Sequence, residues 1–264
     1  MNRNRFVLIW LLLFSVGMFA QEIQHPRVHS HNDYDQSVPF WNAYSSGANS
    51  IEADVFLKHG VLYVTHSESE IIQERTLEEL YLKPLLEIYG MSKDAQAVQE
   101  NQNLQILIDV KSEAIPSLEA LINLLRAYDG LTKNSQLRFV ISGNRPKPEQ
   151  YSTYPDFIWF DHQDLEPISD QAWGKVALIS MSFGRFSNWN GTGSISTSDL
   201  TEIERVIKIA HGYDKPFRFW GTPDSRLAWE TFSTLGVDFI NTDLPSQCVE
   251  FVSGFYKLGL KSAK

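Results

Sequence analysis

The stretch SIEADVFLKHGVLYVTH, residues 50–66, carries the clearest fold signal in the chain. Ile51, Ala53 and Val55 alternate with two carboxylates, and successive side chains of a strand point to opposite faces. Residues 55–58 and 61–65 flank His59-Gly60, a dipeptide typical of a two-residue hairpin turn. The stretch therefore predicts a strand that continues into a β-hairpin.

Seven further apolar runs accompany this strand along the chain, and helix-like stretches separate them. Near-continuous apolar runs indicate parallel strands buried on both faces. Amphipathic patterns predict helices at 117–128, 201–210 and 225–235, with Gly130 and Gly236 placed where helices end. The eight predicted strands are residues 26–30, 50–55, 104–110, 137–142, 157–160, 176–181, 216–220 and 237–241.

Alternating strands and helices predict an α/β fold, a (β/α)8 TIM barrel. The hairpin and a partly helical insertion, residues 67–103, follow its second strand. A doubly wound open sheet is the alternative architecture.

The N-terminus has the pattern of a secretory signal peptide, residues 1–20. Arg3 and Arg5 precede a 15-residue apolar stretch that ends at Ala20, and a membrane span needs roughly 20 residues. We expect cleavage near Ala20, a secreted or periplasmic protein, and no integral membrane span after signal removal. Retention as an N-terminal anchor is the alternative. Residues 21–264 then form a single domain.

Composition excludes several partner and site classes. The formal net charge is −9, which argues against nucleic acid as a partner because phosphate binding needs a basic surface. Cys248 is the one cysteine in the sequence, so neither an internal disulfide nor a thiolate metal cluster can form. The oligomeric state stays open.

Polar residues cluster where the predicted strands end, which is where TIM-barrel active sites lie. Glu52 and Asp54 share one strand face, and two adjacent carboxylates repel unless a cation joins them. Asp109 ends the next strand as a third candidate ligand. The three predict a site for one divalent cation, Mg²⁺ or Ca²⁺. A salt bridge to Lys111 or a surface pair is the alternative.

Two histidines also follow predicted strands, His31 after the first and His66 after the hairpin. Histidines there can exchange protons with attacking and leaving oxygens. A zinc site is the competing interpretation, since histidine with carboxylate also suits zinc. His29 lies two residues before His31, and we prefer His31 because it lies at the end of the strand. Trp220 is either core or pocket wall.

Six ordered motifs resemble the glycerophosphodiester phosphodiesterase and phosphatidylinositol phospholipase C-like superfamily, closest to its altered inheritance of mitochondria 6-like branch. The motifs are HSHNDY at 29–34, IEADV at 51–55, LYVTH at 62–66, IDVK at 108–111, FWGT at 219–222 and GVDFINTDLP at 236–245. The resemblance implies a barrel phosphodiesterase with one metal and two acid-base histidines. It assigns acid-base roles to His31 and His66 and metal ligation to Glu52, Asp54 and Asp109. It also maps a lysine onto Lys111 and a seventh-strand tryptophan onto Trp220. We predict that Lys111, Asn32, Trp220 and His29 bind substrate.

The first motif departs from the family pattern. The usual His-Arg-Gly is replaced here by His31-Asn32-Asp33, so the arginine that helps hold phosphate is missing. Ser67 follows the second histidine in place of aspartate, and Asp109 replaces glutamate. These changes leave the acid-base pair and metal site intact and alter the phosphate contacts.

The sequence therefore predicts a secreted, divalent-metal-dependent phosphodiesterase acting on a small glycerophosphodiester-like or phospholipid-head-group diester. Two alternatives remain. The barrel could bind phosphodiesters without turnover, which the altered first motif favours, or it could be a metal-dependent enzyme acting on sugars.

Overall fold

The structure is a computed structural model that describes residues 25–90 and 103–262. The predicted signal peptide lies outside the described residues, as does part of the predicted insertion. None of the described helices is both long enough and apolar enough to cross a membrane.

Eight parallel strands close into a barrel within the described residues, confirming the predicted TIM barrel. Neighbouring strands run in chain order, and β1 pairs with both β9 and β2 to close the ring. β3 pairs antiparallel with the outer half of β2. The strands are β1 Arg27–Ser30, β2 Ser50–Lys58, β3 Val61–Val64, β4 Leu104–Val110, β5 Leu137–Gly143, β6 Ile158–His162, β7 Val176–Ser182, β8 Phe217–Trp220 and β9 Phe239–Thr242.

Helices surround this barrel. They are α1 Trp41–Ser46, α2 Lys83–Tyr89, α3 Ala114–Arg126, α4 Asp129–Thr132, α5 Asp170–Trp173, α6 Thr197–Gly212, α7 Arg226–Thr234 and α8 Pro245–Ser262. A π-helical turn, Glu78–Leu82, precedes α2, so the described part of the insertion is partly helical as predicted.

The hairpin confirms its sequence prediction. Lys58 pairs with Val61 across the turn, and the two turn residues have positive φ, 50° at His59 and 81° at Gly60. This geometry matches the twist of the flanking strands. The hairpin brings the chain back toward the end of β2, where the next loop begins.

Two helix predictions need correction. The helix predicted at 117–128 begins earlier, at Ala114, because Pro116 lies in the first turn, where its missing N–H is not needed. Gly130 does not end this helix, which stops at Arg126; it lies inside α4 instead. Gly236, with φ 83°, follows α7 as expected.

The two faces of each barrel strand have different surroundings. Ile51, Ala53 and Val55 are buried in the apolar layer between barrel and helices. On the inner face a small apolar cluster forms around Leu107 and Val140, and polar side chains lie beyond it toward the C-terminal strand ends. The barrel is therefore filled by apolar side chains below and by charged groups above.

Candidate active site

Strand register brings the three predicted metal ligands together. In the β2–β4 ladder Asp54 lies directly opposite Asp109, and Glu52 lies two residues earlier on the same face. One carboxylate oxygen from each lies within 4.8 Å of the others. Glu52 and Asp54 are buried, and Asp109 is half-buried.

The donor set fits a hard divalent cation. Oδ1 of Asp54 and Oδ1 of Asp109 are buried without a hydrogen-bond partner among the described residues, and an unpaired buried carboxylate oxygen costs free energy. The other oxygen of Asp54 is occupied: it accepts from the Tyr34 hydroxyl at 2.9 Å and from His66 Nδ1 at 2.8 Å. The cluster contains oxygen ligands alone, which favours Mg²⁺ or Ca²⁺ over zinc.

Burial and mutual repulsion act on the carboxylates in the metal-free protein. Desolvation, followed by the charge on Glu52, raises the pKa of Asp109 to about 6. The same two causes raise the pKa of Asp54. A divalent cation among these groups would favour their ionised forms and offset both causes.

Glu52 is held ionised by two buried partners. Burial alone would raise its pKa, but the hydrogen bond from His29 and the positive charge of Arg218 lower it. His29 Nε2 lies 2.7 Å and Arg218 Nη1 lies 3.2 Å from Glu52 Oε2. Sequence reasoning missed Arg218, because it stands within an aromatic run that resembles core.

His29 supports Glu52 from below rather than facing solvent. It is fully buried, and desolvation together with the charge of Arg218 lowers its pKa to about 3. The ring is therefore neutral, donating from Nε2 to Glu52 and accepting from Ser50 Oγ at Nδ1, 2.7 Å away. Substrate contact by His29 stays a prediction, which its burial does not favour.

Charge counting supports the cation site. Four carboxylates point into the barrel, and two cationic side chains contact them. Lys111 contacts Asp54 at 3.1 Å and Asp109 at 3.2 Å. Arg218 contacts Glu52 at 3.2 Å and Asp161 at 3.5 Å. Two negative charges remain, which one divalent cation would balance.

Gly143, at the end of β5, has no side chain, and the Asp109 carboxylate lies where a Cβ would be. A Cβ built there would lie 1.9 Å from Asp109 Oδ1 and 2.6 Å from the Val110 carbonyl oxygen, and φ is +65°. We expect Gly143→Ala to displace Asp109, because the new Cβ would clash with its carboxylate and alanine is strained at a positive φ. Metal affinity and turnover should both fall at least about tenfold. Metal titration by calorimetry checks it, with Gly130→Ala, where a Cβ meets nothing within 4 Å, as the control. Unchanged metal affinity in Gly143→Ala would contradict the assignment of Asp109.

The two predicted acid-base histidines are each oriented by a carboxylate. His31 Nδ1 donates to Asp243 Oδ1 at 2.7 Å, and His66 Nδ1 donates to Asp54 Oδ2 at 2.8 Å. In both rings Nε2 is left for proton transfer, as in histidine–carboxylate pairs of hydrolases. His66 is the more open, with its side chain 66% exposed against 30% for His31.

Asp243 directly follows β9 and lies within the sequence motif at 236–245. Desolvation lowers the pKa of His31, but the hydrogen bond to Asp243 and the charge on Glu52 outweigh it, and the net pKa is raised. Asp243 is itself positioned by the loop after β8, because its N–H donates to Asp224 Oδ2 at 2.7 Å.

The remaining predicted substrate residues lie around the same end of the barrel. Asn32 has a left-handed backbone, φ 43°, and its Oδ1 lies 3.3 Å from the Tyr34 hydroxyl. Trp220 ends β8 with 39% of its surface exposed, which favours the pocket wall over the core.

A cavity of about 470 Å³ opens beside His66. Asn32, Tyr34, His66 and Arg75 contribute to its wall. Arg75 comes from the insertion after the hairpin and donates to the Tyr34 carbonyl. It provides a guanidinium next to the first motif, where the family arginine is absent from the sequence.

Comparison with known proteins identifies relatives of this chain. A family model described as the AIM6-like phosphodiesterase domain matches residues 17–140. Altered inheritance of mitochondria protein 6 of Saccharomyces cerevisiae S288c is 38% identical over 283 residues, covering 87% of this chain and 71% of that protein. A homolog from Arthroderma benhamiae is 29% identical over 257 residues, covering 82% of this chain and 80% of that protein.

Solved structures share the barrel at low identity. A glycerophosphodiester phosphodiesterase from Parabacteroides distasonis superimposes with a TM-score of 0.56 at 16% identity, covering 88% of this chain and 99% of that one. An Oleispira antarctica phosphodiesterase, solved with the product sn-glycerol-3-phosphate, superimposes with a TM-score of 0.53 at 13% sequence identity. The match covers 86% of this chain and 97% of that one. At these low sequence identities the structural similarity establishes the fold of this chain alone.

Proposed function

The chain belongs to the altered inheritance of mitochondria protein 6 family, and from that premise we propose that it is a divalent-metal-dependent phosphodiesterase. Its substrate class is a small glycerophosphodiester-like or phospholipid-head-group diester. The observation that carries the proposal is the cluster of Glu52, Asp54 and Asp109, with two buried oxygens that lack partners. His31 and His66 lie at the same end of the barrel, each oriented by a carboxylate.

The charged groups would bind the phosphate. Glu52, Asp54 and Asp109 would hold the cation, which when bound supplies Lewis-acid stabilisation of charge on a non-bridging phosphate oxygen. Lys111, which bridges two of these carboxylates, adds a fixed positive charge toward the same oxygens. Arg75 offers a second cation across the cavity beside His66.

The histidines would move the protons. One removes the proton from the nucleophile, which is a neighbouring substrate hydroxyl or water, and the other protonates the leaving alkoxide. Attack by the neighbouring hydroxyl gives a cyclic phosphate, and attack by water gives a phosphomonoester. The carboxylates of Asp243 and Asp54 hold Nδ1 protonated in both rings, so Nε2 of each is the atom that exchanges a proton.

Replacing Asp243 by asparagine tests the role of His31 through pH dependence. Without the carboxylate, the negative charge of Asp243 no longer raises the pKa of His31 while burial still lowers it, so the pKa falls. We therefore expect one limb of the profile of kcat/KM against pH to move to lower pH: the alkaline limb if His31 is the acid, the acid limb if it is the base. Asp129→Asn, an exposed ion-pair variant, is the control. A profile with both limbs unmoved would contradict the assignment.

A substrate panel tests the proposed function. The protein is freed of metal and assayed on phosphodiesters with Mg²⁺, Ca²⁺ or Mn²⁺ added separately, and on glycosides in parallel. We expect metal-dependent cleavage of at least one diester and none of the glycosides. Tight binding of a diester without cleavage would identify a binding barrel instead, and cleavage of glycosides alone would identify a sugar enzyme.

A further inference from the structure

Two of the three carboxylates in the proposed cation site have one oxygen engaged by protein donors. Glu52 Oε2 lies 2.7 Å from His29 Nε2 and 3.2 Å from Arg218 Nη1. Asp109 Oδ2 lies 3.2 Å from Lys111 Nζ, and its Oδ1 is buried without a hydrogen-bond partner among the described residues. The protein therefore divides the oxygens of each carboxylate between its own donors and the site.

The third carboxylate, Asp54, is divided most strictly. Its Oδ2 lies 2.9 Å from the Tyr34 hydroxyl, 2.8 Å from His66 Nδ1 and 3.1 Å from Lys111 Nζ. A carboxylate oxygen has about two lone pairs, so three donors leave Oδ2 no free acceptor capacity. Oδ1 is buried and has no partner among the described residues. Asp54 can therefore offer a cation one oxygen.

Of the three donors to this oxygen, the Tyr34 hydroxyl is the one held in place by burial. The side chain of His66 is 66% exposed, and Lys111 is shared with Asp109, so either can move when a cation binds. Tyr34 is 6% exposed, and Arg75 donates to its backbone carbonyl. The hydroxyl is therefore the donor that keeps Oδ2 occupied.

The turn that carries Tyr34 is anchored by the residue before it. Asp33 is fully buried and accepts from the Phe40 N–H at 2.6 Å and the Tyr81 hydroxyl at 3.0 Å through Oδ2. Its Oδ1 accepts from Ser30 Oγ at 3.1 Å. A ligand held by such a network of buried hydrogen bonds keeps its orientation.

The number of oxygens that a carboxylate offers affects Ca²⁺ and Mg²⁺ differently. Ca²⁺ takes roughly six to eight oxygens and readily uses both oxygens of one carboxylate. Mg²⁺ requires a near-octahedral shell and keeps several water or phosphate oxygens in it. Three carboxylates that offer one oxygen each suit Mg²⁺, and the donors on Asp54 deny Ca²⁺ a second oxygen.

We propose that Tyr34 is a positioning residue that keeps Asp54 a one-oxygen ligand and thereby disfavours Ca²⁺ relative to Mg²⁺ at this site. The inference rests on the proposed function for the presence of the cation. Selection between the two cations by Tyr34 requires neither a diester nor turnover.

Replacing Tyr34 by phenylalanine removes the hydroxyl and keeps the buried ring. The metal-free protein is titrated by calorimetry with Mg²⁺ and with Ca²⁺ separately, and the ratio of the Ca²⁺ Kd to the Mg²⁺ Kd is compared. We expect Tyr34→Phe to lower this ratio about tenfold, within the usual effect of residues that support metal ligands, because Oδ2 of Asp54 becomes available to Ca²⁺. A purely structural defect would weaken both cations alike and leave the ratio unchanged.

Tyr63→Phe is the matched control. Tyr63 is also buried, and its hydroxyl donates to Gln73 Oε1 at 3.1 Å, away from the carboxylates. This variant should keep the wild-type ratio. A thermal melt of each metal-free variant checks that it is folded.

A second variant keeps the inference testable if Tyr34→Phe does not fold. Arg75→Ala removes the donor to the Tyr34 carbonyl and leaves every carboxylate in place. It should lower the ratio in the same direction by a smaller factor, since the lost positive charge acts equally on both divalent cations.

The outcomes separate this inference from the proposed function. An unchanged ratio in both variants, or no binding of either cation to the wild-type protein, would overturn the role of Tyr34. An unchanged ratio in variants that still cleave a diester would overturn this inference alone. A lowered ratio in a protein that cleaves no diester would support the role of Tyr34 and overturn the proposed function alone.

Discussion

Replacing His31 or His66 by alanine is expected to lower diester turnover by about 10²–10⁴-fold, the usual contribution of one positioned acid or base. Each histidine is oriented at Nδ1 by a carboxylate, 2.7 Å away for His31 and 2.8 Å for His66. Removing either ring leaves the nucleophile unactivated or the alkoxide without a proton. Because both side chains are partly open to solvent, neither variant should lose its fold.

Steady-state kinetics and a thermal melt check this expectation together. His211→Ala is the matched control, since His211 lies near the end of α6, pairs with Asp238 and is not among the site residues. It should retain wild-type turnover. Near-normal turnover by folded His31→Ala or His66→Ala on the true substrate would remove that histidine from the mechanism.

Replacing a carboxylate of the cluster should abolish metal-dependent turnover. Asp54→Asn or Asp109→Asn removes one negative ligand from the three. We expect metal affinity to fall by at least about 100-fold, because even supporting residues of metal sites contribute tenfold to 100-fold. Complete metal removal from the wild-type protein should have the same effect on turnover. Calorimetric metal titration measures binding without using activity.

Stability of the metal-free variant separates ligand loss from misfolding. The folded-state pKa of Asp109 is raised to about 6, so its stabilising contribution is present below the unfolded value near 4 and is lost as pH rises through 6. Metal-free Asp109→Asn should therefore be at least as stable as wild type at pH 8, while wild type gains more on adding metal. Asp129→Asn is the control. Retained metal affinity in Asp109→Asn would contradict the ligand assignment.

The barrel and the carboxylate cluster could be predicted from the sequence because both follow from short-range patterns. A strand buried on both faces leaves a continuous apolar run, and a Glu-x-Asp pair must share one strand face. The parallel register then aligns Asp54 with Asp109. Gly236 was predictable as a helix stop, whereas Gly130 was not, because its segment forms the separate short helix α4.

Long-range partners were not predictable. Arg218 lies between two phenylalanines and reads as part of a core strand, yet it contacts both Glu52 and Asp161 across the barrel. His29 and His31 differ by two positions, and their different roles depend on burial beside Arg218 or contact with Asp243. These roles depend on contacts between residues far apart in the sequence. His29 and Arg218 are 189 positions apart, and His31 and Asp243 are 212 positions apart.

The ³¹P NMR spectrum of one glycerophosphodiester, incubated with the metal-free protein and then with added divalent cation, tests the central claim most directly. The diester signal should persist without metal and convert to a phosphomonoester or cyclic phosphate signal once Mg²⁺, Ca²⁺ or Mn²⁺ is added. The same sample with Asp54→Asn should show no conversion. Conversion at an equal rate without metal, or no conversion of any diester in the panel with all three cations, would contradict a metal-dependent phosphodiesterase.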